Sequence, residues 1–173
     1  MPAFVPPVDP TAERSAATRA ITRLSITKAG VWFLMNVSRR VDPVLHRATR
    51  GHVSTLVVTP VILLTTTGAK SGLPRTTPLV YFTDKGRVVT MASNYGRPHN
   101  PAWYHNVKAN PEVTISVQGR RARFRGEEVS GEEYERLWAL AKRFAATYGT
   151  YEERSGRHIP VVTFAPVVTP TTA

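Results

Sequence analysis

An antiparallel β-sheet or barrel with flanking helices, an α+β fold in one domain, is the class that this sequence predicts. Three observations predict it. At least six apolar, β-branched segments follow residue 54, most of them joined by short turns. Two of the turns, Asp84-Lys85-Gly86 and Gln118-Gly119, carry the residues of tight hairpins. The helical patterns are too few to alternate with the strands, as a βαβ fold would require. A length of 173 residues suits one domain, and 42% hydrophobic residues suffice for a core.

Residues 1–10 are proline-rich and are expected to be loose. Thr11 to about Thr27 reads as a helix, with Ala17, Ile21 and Leu24 at helical spacing. Gly30 interrupts, "VWFLMNVSRRV" gives a second apolar segment ended by Asp42-Pro43, and a short helical piece spans Val44 to Thr49. Residues 1–52 hold eight Lys or Arg and three acids, a net +5. Such a basic amphipathic arm suits packing on a core or contact with an anionic membrane surface. The expected division is an arm over 1–44, a domain over 45–166 and a flexible tail over 167–173.

From Thr55 the pattern is that of strands. "LVVTPVILLTTT" ends at the Gly68–Gly72 loop, and "TPLVYFTDKGRVVTMAS" is two strands around Lys85-Gly86. "EVTISVQGRRARFRGEEV" is a second hairpin, in which Arg121, Arg123 and Arg125 share one face and Ala122 and Phe124 the other. "IPVVTFAP" is the last strand. Between them, Asn100-Pro101 predicts a helix start with Asn as N-cap and Pro at N1. Ser130-x-x-Glu133 predicts a capping box opening a helix with Tyr134, Leu137, Trp138 and Ala141 along one stripe. "ATYGTYEERSGRH" reads as a polar loop carrying Tyr148 and Tyr151.

The charge is lopsided: 23 Lys plus Arg against 12 Asp plus Glu gives +11. A field of that sign attracts nucleic acid, anionic lipid or a polyanionic small molecule, or serves solubility alone. With no cysteine, thiolate chemistry and disulfides are excluded, and a cytoplasmic address is expected. No run approaches the roughly 18 apolar residues of a membrane span. His46, His52, His99, His105 and His158 form no metal-binding spacing, so no metal is expected. Neither G-x-S-x-G, a P-loop nor G-x-G-x-x-G occurs. Enzymatic chemistry would then belong to a bound cofactor, with the protein supplying position and field.

Three segments suit such a site. In Gly68–Arg75, Gly68 and Gly72 let backbone N–H groups approach an anion, and Lys70 and Arg75 add charge. In "MASNYGRPHNPAWYHN", a strand ends in Ala92 and Ser93, where a flat ring could lie, and a helix N-terminus follows. Trp103 and Asn106 would then line the ligand or simply pack the helix. Tyr148 and Tyr151 are loop aromatics that meet a ligand or pin the loop.

"PVILLTTTGAKSGLPRTTPLVYF", "VVTMAS", "NPAWYHNVKANPEV" and "YGTYEERSGRHIPVV" together resemble the deazaflavin-dependent nitroreductase family of actinobacteria, from about Leu45 to Pro166. The resemblance implies a split β-barrel, FMN-binding-like, that binds coenzyme F420, an 8-hydroxy-5-deazaflavin ending in a phosphodiester and a poly-glutamate tail. It places Lys70, Ser71 and Arg75 on the phosphate and tail. It places Thr76, Thr77, Pro78, Leu79 and Val80 beside the deazaflavin, and Met91, Ala92, Ser93 and Asn94 under the ring. Ala102, Trp103, Tyr104, His105 and Asn106 form the helix start next to it. Tyr148 lies near the reactive face and Tyr151 in the acceptor pocket. Ser93, Tyr148 and Tyr151 are the expected catalytic donors. The implied reaction is hydride transfer to a quinone, an activated enone or lactone, or a nitroaromatic. Its rivals are an FMN-dependent oxidase and a non-catalytic deazaflavin or fatty-acid carrier. A monomer or weak dimer without nucleic acid is implied. Ala69 stands where relatives have a second cation, Val80 where nitroimidazole-reducing relatives have an aromatic, and Ala145 where they have a third tyrosine. The pocket is therefore expected to be wider than theirs.

Overall fold

The computed structural model describes residues 5–12 and 60–167. The helices expected between residues 13 and 49, the strand residues before Pro60 and the tail after Val167 lie outside the described residues. Seven strands form one sheet: β1 (Val61–Thr67), β2 (Pro74–Val80), β3 (Phe82–Asp84), β4 (Arg87–Met91), β5 (Glu112–Val117), β6 (Arg120–Glu128) and β7 (Val161–Pro166). The helices are α1 (Ala102–Ala109), α2 (Gly131–Phe144) and α3 (Thr147–Ser155).

The sheet order is β2-β1-β5-β6-β7-β4-β3, and every pairing is antiparallel. Its two edge strands, β2 and β3, are consecutive in the chain with only Tyr81 between them. Six inter-strand spacings would separate the edges of a flat sheet by roughly 29 Å. Val80 and Phe82 can be at most about 7 Å apart. The sheet must therefore curl until its edges meet at Tyr81, which gives a split β-barrel. About six strands were expected; the seventh arises because this corner divides "TPLVYFTD" in two.

Tyr81 is buried, and its N–H donates to Pro60 O at 3.2 Å and its hydroxyl to Pro6 O at 3.1 Å. Residues 5–8 are not loose, contrary to their composition. Val5 is 2% exposed, Val8 N–H donates to Thr83 Oγ1 at 2.8 Å, and Thr83 N–H donates to Val8 O at 2.9 Å. The reason is the edge: β3 has an unpaired side, and an extended segment with two valines covers it.

Both two-residue hairpin turns form as expected, with Lys85 and Gly86 at φ 45° and 75° and Gln118 and Gly119 at 48° and 77°. One face of the sheet buries Ile62, Leu64, Val113, Ile115, Phe124 and Phe164 against Trp103 and Val107 of α1. A Cβ on Gly126 would stand 2.7 Å from Val107 Cγ1, so glycine there admits α1. On the other face, α2 and α3 cover β3, β4 and β7, bringing Leu137, Trp138, Phe144, Tyr148 and Tyr151 onto Phe82, Val89, Met91 and Val161. Over β6 that face is open, and Arg121, Arg123 and Arg125 are exposed on it as their alternation predicts.

Three local expectations are corrected. α1 begins at Ala102 with Pro101 at the N-cap position, because the Asn100 side chain accepts a hydrogen bond from Arg157 instead of capping. Ser130 does precede α2, but the capping box does not close, because Glu133 turns to Arg87 and Arg136. Tyr148 and Tyr151 lie in helix α3 and are buried, not on an exposed loop.

Candidate active site

The β1–β2 connection is a built loop rather than a minimal turn. Gly68 N–H donates to Leu73 O at 2.9 Å and Gly72 N–H to Gly68 O at 2.8 Å. Gly72 has φ 66°, which favours glycine, and a Cβ on Gly68 would lie 3.1 Å from Leu73 O, so the bend is tight at both glycines. From behind, Asn106 Oδ1 accepts the Ala69 N–H at 2.9 Å while its Nδ2 donates to Thr66 Oγ1 at 3.0 Å. The loop is thus fixed to α1, and Lys70, Ser71 and Arg75 stand exposed around it. A fixed glycine bend with a lysine, a hydroxyl and an arginine suits a phosphate and carboxylates.

At the far end of β4, Met91 and Ala92 are buried and Ser93 and Asn94 half-buried. Asn94, Tyr95 and Gly96 follow at φ 47°, 57° and 74°. Two successive non-glycine residues in the left-handed region are strained, and such strain collects at ligand sites. Gly96 packs on α3: a Cβ there would lie 3.2 Å from Tyr151 Cα. The Tyr148 and Tyr151 rings meet edge-on with centroids 6.3 Å apart, and Tyr148 lies 6.2 Å from the Trp138 ring. Burial pushes the Tyr151 hydroxyl up to about 12, so at neutral pH it is a protonated donor and not a base. Val80 and Ala145 border the same apolar cluster as Met91, Tyr148 and Tyr151.

The strand register divides the β2 candidates between two faces. Thr76, Pro78 and Val80 share the face of Leu63 and Thr65, whereas Arg75, Thr77 and Leu79 pair with Thr66, Leu64 and Ile62 on the inward side. On α1, Trp103 belongs to the inner core, Tyr104 hydroxyl donates to Glu128 Oε2 at 2.8 Å, and Ala102 and His105 are exposed. Asn106 acts on the loop rather than outward. Sequence reasoning missed Arg157, whose guanidinium reaches the carbonyls of Ala92, Ser93 and Arg97. Only the glycine before it marks that position, and a helix-ending glycine says nothing about a distant strand end. Among the described residues, no group of three His, Asp or Glu could hold a metal ion.

A glycine bend bonded to α1 and flanked by exposed cations, a strained strand end and two buried tyrosines supply binding groups and donors. Such a set suits a split-barrel oxidoreductase that works through a bound redox cofactor. A family model described as F420H(2)-dependent quinone reductase matches residues 38–166, three quarters of the chain, and the chain belongs to that family. The F420H(2)-dependent quinone reductase Rv1261c of Mycobacterium tuberculosis is 39% identical over 128 residues, covering 71% of this chain and 86% of that protein. A solved F420-H2 dependent reductase, FDR-A, is 40% identical with a TM-score of 0.55, covering 61% of this chain and 93% of that one. A second structure, described as a domain-swapped dimer, is 34% identical with a TM-score of 0.57, covering 79% and 99%. The expected deazaflavin dependence is thereby borne out: the chain is an F420H2-dependent reductase, and coenzyme F420 is its cofactor.

Proposed function

We propose that this chain reduces a quinone with F420H2, holding the cofactor's phosphate and poly-glutamate tail at Lys70, Ser71 and Arg75. The observation that carries this reading is the Gly68–Leu73 loop, bonded to Asn106, with Lys70 exposed on it and Arg75 exposed at the start of β2. A neutral hairpin would need neither the glycine pair nor the clip. The cofactor supplies the hydride when bound. Met91 to Asn94 support the ring from the β4 end, and Thr76, Pro78 and Val80 flank it from β2. Ser93, Tyr148 and Tyr151 donate to the oxygen that gains charge as the acceptor is reduced. Trp138 and Phe144 back the tyrosines, fix their rings and keep water from that side. The acceptor must lie within about 3–3.5 Å of the reacting carbon, a distance that the tyrosine wall sets. Val80 and Ala145 leave room for a flat bicyclic quinone. The protein acts as a monomer or weak dimer in the cytoplasm, and its basic arm over 1–44 offers contact with an anionic membrane surface.

The test is direct. Purified protein is titrated with F420 and with FMN, followed by fluorescence, and F420H2 oxidation is then followed with a quinone, an enone lactone and a nitroaromatic. Low-micromolar F420 binding, much weaker FMN binding and fastest turnover of the quinone are expected. Equal or tighter FMN binding would overturn the cofactor assignment in solution, and a preferred nitroaromatic would overturn the acceptor.

A further inference from the structure

We propose that Arg157 is the positioning residue of the site: it clamps the segment from Ala92 to Asn100 so that the Ser93 and Asn94 amides face outward as a paired receptor for an oxyanion. The inference rests on the F420 reading only for the identity of that oxyanion. Arg157 Nη2 donates to Ala92 O at 2.9 Å and to Ser93 O at 3.2 Å, and Nε donates to Arg97 O at 3.1 Å. Nη1 donates to His158 O at 3.2 Å and to the Asn100 side chain. One planar guanidinium therefore ties together both ends of a loop whose middle is the left-handed Asn94–Gly96 turn. Asn94 Nδ2 adds a bond to His99 O at 2.9 Å.

Peptide planarity then fixes a direction. In a trans peptide, the C=O of one residue and the N–H of the next point opposite ways. With Ala92 O and Ser93 O both on Arg157, the Ser93 and Asn94 N–H groups point away from it. Ser93 has φ −70° and ψ −28°, and Asn94 has φ 47°. A right-handed residue followed by a left-handed one makes successive N–H groups converge on a concavity that accepts anions. Among the described residues, no protein acceptor is placed on either amide. The charge on Arg157 polarises both peptides in the sense that strengthens those donors. Without the clamp, the strained turn would have a cheaper conformation to fall into.

The bound oxyanion has two sources: the ionised ring of the cofactor, or the oxygen of an acceptor as it is reduced. Arg157→Lys keeps the charge but lacks the fork, and Arg157→Gln removes both. Both are compared with wild type by thermal melting, so that a folding failure is seen as such. In cofactor-free protein, the Gly96 and Arg97 amides, bonded within the turn at 2.9 and 3.2 Å, report the clamp by hydrogen exchange. Exchange at these two amides at least about 10-fold faster in Arg157→Lys is expected, with core strands unchanged. Wild-type rates in a folded Arg157→Lys would overturn the clamp. In the F420-bound protein, the visible absorption is titrated with pH. Loss of oxyanion donors should raise the midpoint of the ring hydroxyl by about one unit, a tenfold change. A raised midpoint assigns the receptor to the ring. An unchanged midpoint with a lower kcat on the quinone assigns it to the acceptor. An unchanged midpoint and unchanged kcat would overturn the receptor. Failure of wild type to bind F420 would defeat the cofactor reading while leaving the exchange experiment to decide the clamp.

Discussion

Asn106 and Ala69 are 37 residues apart, and a 2.9 Å hydrogen bond from the Ala69 amide to the Asn106 side chain joins them. That bond fixes the Gly68–Leu73 loop to the second turn of α1. Asn106→Ala would leave the Ala69 N–H and the buried Thr66 hydroxyl without this partner, at a cost of about 1–3 kcal/mol. For a chain of this size the melting temperature should fall by about 2–4 °C per kcal/mol. Asn106→Asp keeps the acceptor for Ala69 but puts a carboxylate beside the loop. It should melt closer to wild type than Asn106→Ala yet bind F420 more weakly. Calorimetry and cofactor titration on both variants separate the two effects, and equal binding by wild type and Asn106→Asp would place the anion elsewhere.

Lys70→Ala and Arg75→Ala should each weaken F420 binding by about 1–3 kcal/mol, the loss expected for one charge-assisted hydrogen bond. The difference from wild type should shrink as salt is raised, because both cations are exposed and screened. Titrations at low and high ionic strength check this. If both variants bind as wild type does, the loop has no part in the cofactor site.

What the sequence made legible was local. Lys85-Gly86 and Gln118-Gly119 announce their hairpins because a two-residue turn depends on its own backbone angles. Arg121, Arg123 and Arg125 reveal the face of β6 because alternation is a property of one strand. The misses were all decided at a distance. Asn100 lost its capping role to Arg157, 57 residues on, and Glu133 turned to Arg87, 46 residues back. The corner at Tyr81 follows from closure of the sheet, which nothing in "LVYFT" encodes by itself. α3 read as a loop because glycine, threonine and charge weaken its helical pattern. Packing of its two tyrosines against α2 and Met91 supplies what the pattern lacks. The candidate site shows the same division: Lys70 and Arg75 stand in the sequence as cations beside a glycine bend, but the clips, Asn106 on that bend and Arg157 on the β4 end, work through folded contacts.

Asp84, Arg87, Glu133 and Arg136 tie the β3–β4 hairpin to α2, with Arg136 on both oxygens of Asp84 at 2.9 and 2.6 Å. The Arg136 hydrogen bond holds the Asp84 carboxyl below its ordinary value of 3.8, and Arg136 and Arg87 hold Glu133 near 2 against an ordinary 4.5. Depressed folded values mean stability that is present above the unfolded values and lost as pH falls through the folded ones. Wild type should therefore lose melting temperature between about pH 4.5 and 2, and Arg136→Met should lose less over that range after starting lower at pH 7. Melting curves across pH check the sign. Parallel curves would show that the network adds nothing to stability.

Tyr148 and Tyr151 form the wall that faces the acceptor in the proposed reaction. Tyr148→Phe keeps the ring against Trp138 and removes one donor. If that hydroxyl stabilises charge as the acceptor is reduced, kcat/KM on a quinone should fall about 10–100-fold while F420 affinity stays nearly constant. Tyr151 requires a gentler change than truncation. It is buried and Gly96 packs on it, so Tyr151→Ala would cost about 3–5 kcal/mol in folding and obscure the kinetics. Tyr151→Phe avoids that, and its effect should lie mainly in kcat. Because burial holds the Tyr151 hydroxyl near 12, wild-type activity should show no limb from its ionisation up to about pH 10. Ala145→Tyr fills the space beside Tyr148 at an overpacking cost of about 1–3 kcal/mol. It should shift preference from the quinone toward nitroimidazoles, as the resemblance to the nitroreductase family implies for a tyrosine at that position. Steady-state kinetics with F420H2 and one acceptor of each class read all three variants. Unchanged kinetics in Tyr148→Phe and Tyr151→Phe would remove both hydroxyls from the reaction. An Ala145→Tyr variant that folds but keeps its preference would show that the space beside Tyr148 is not where the acceptor binds.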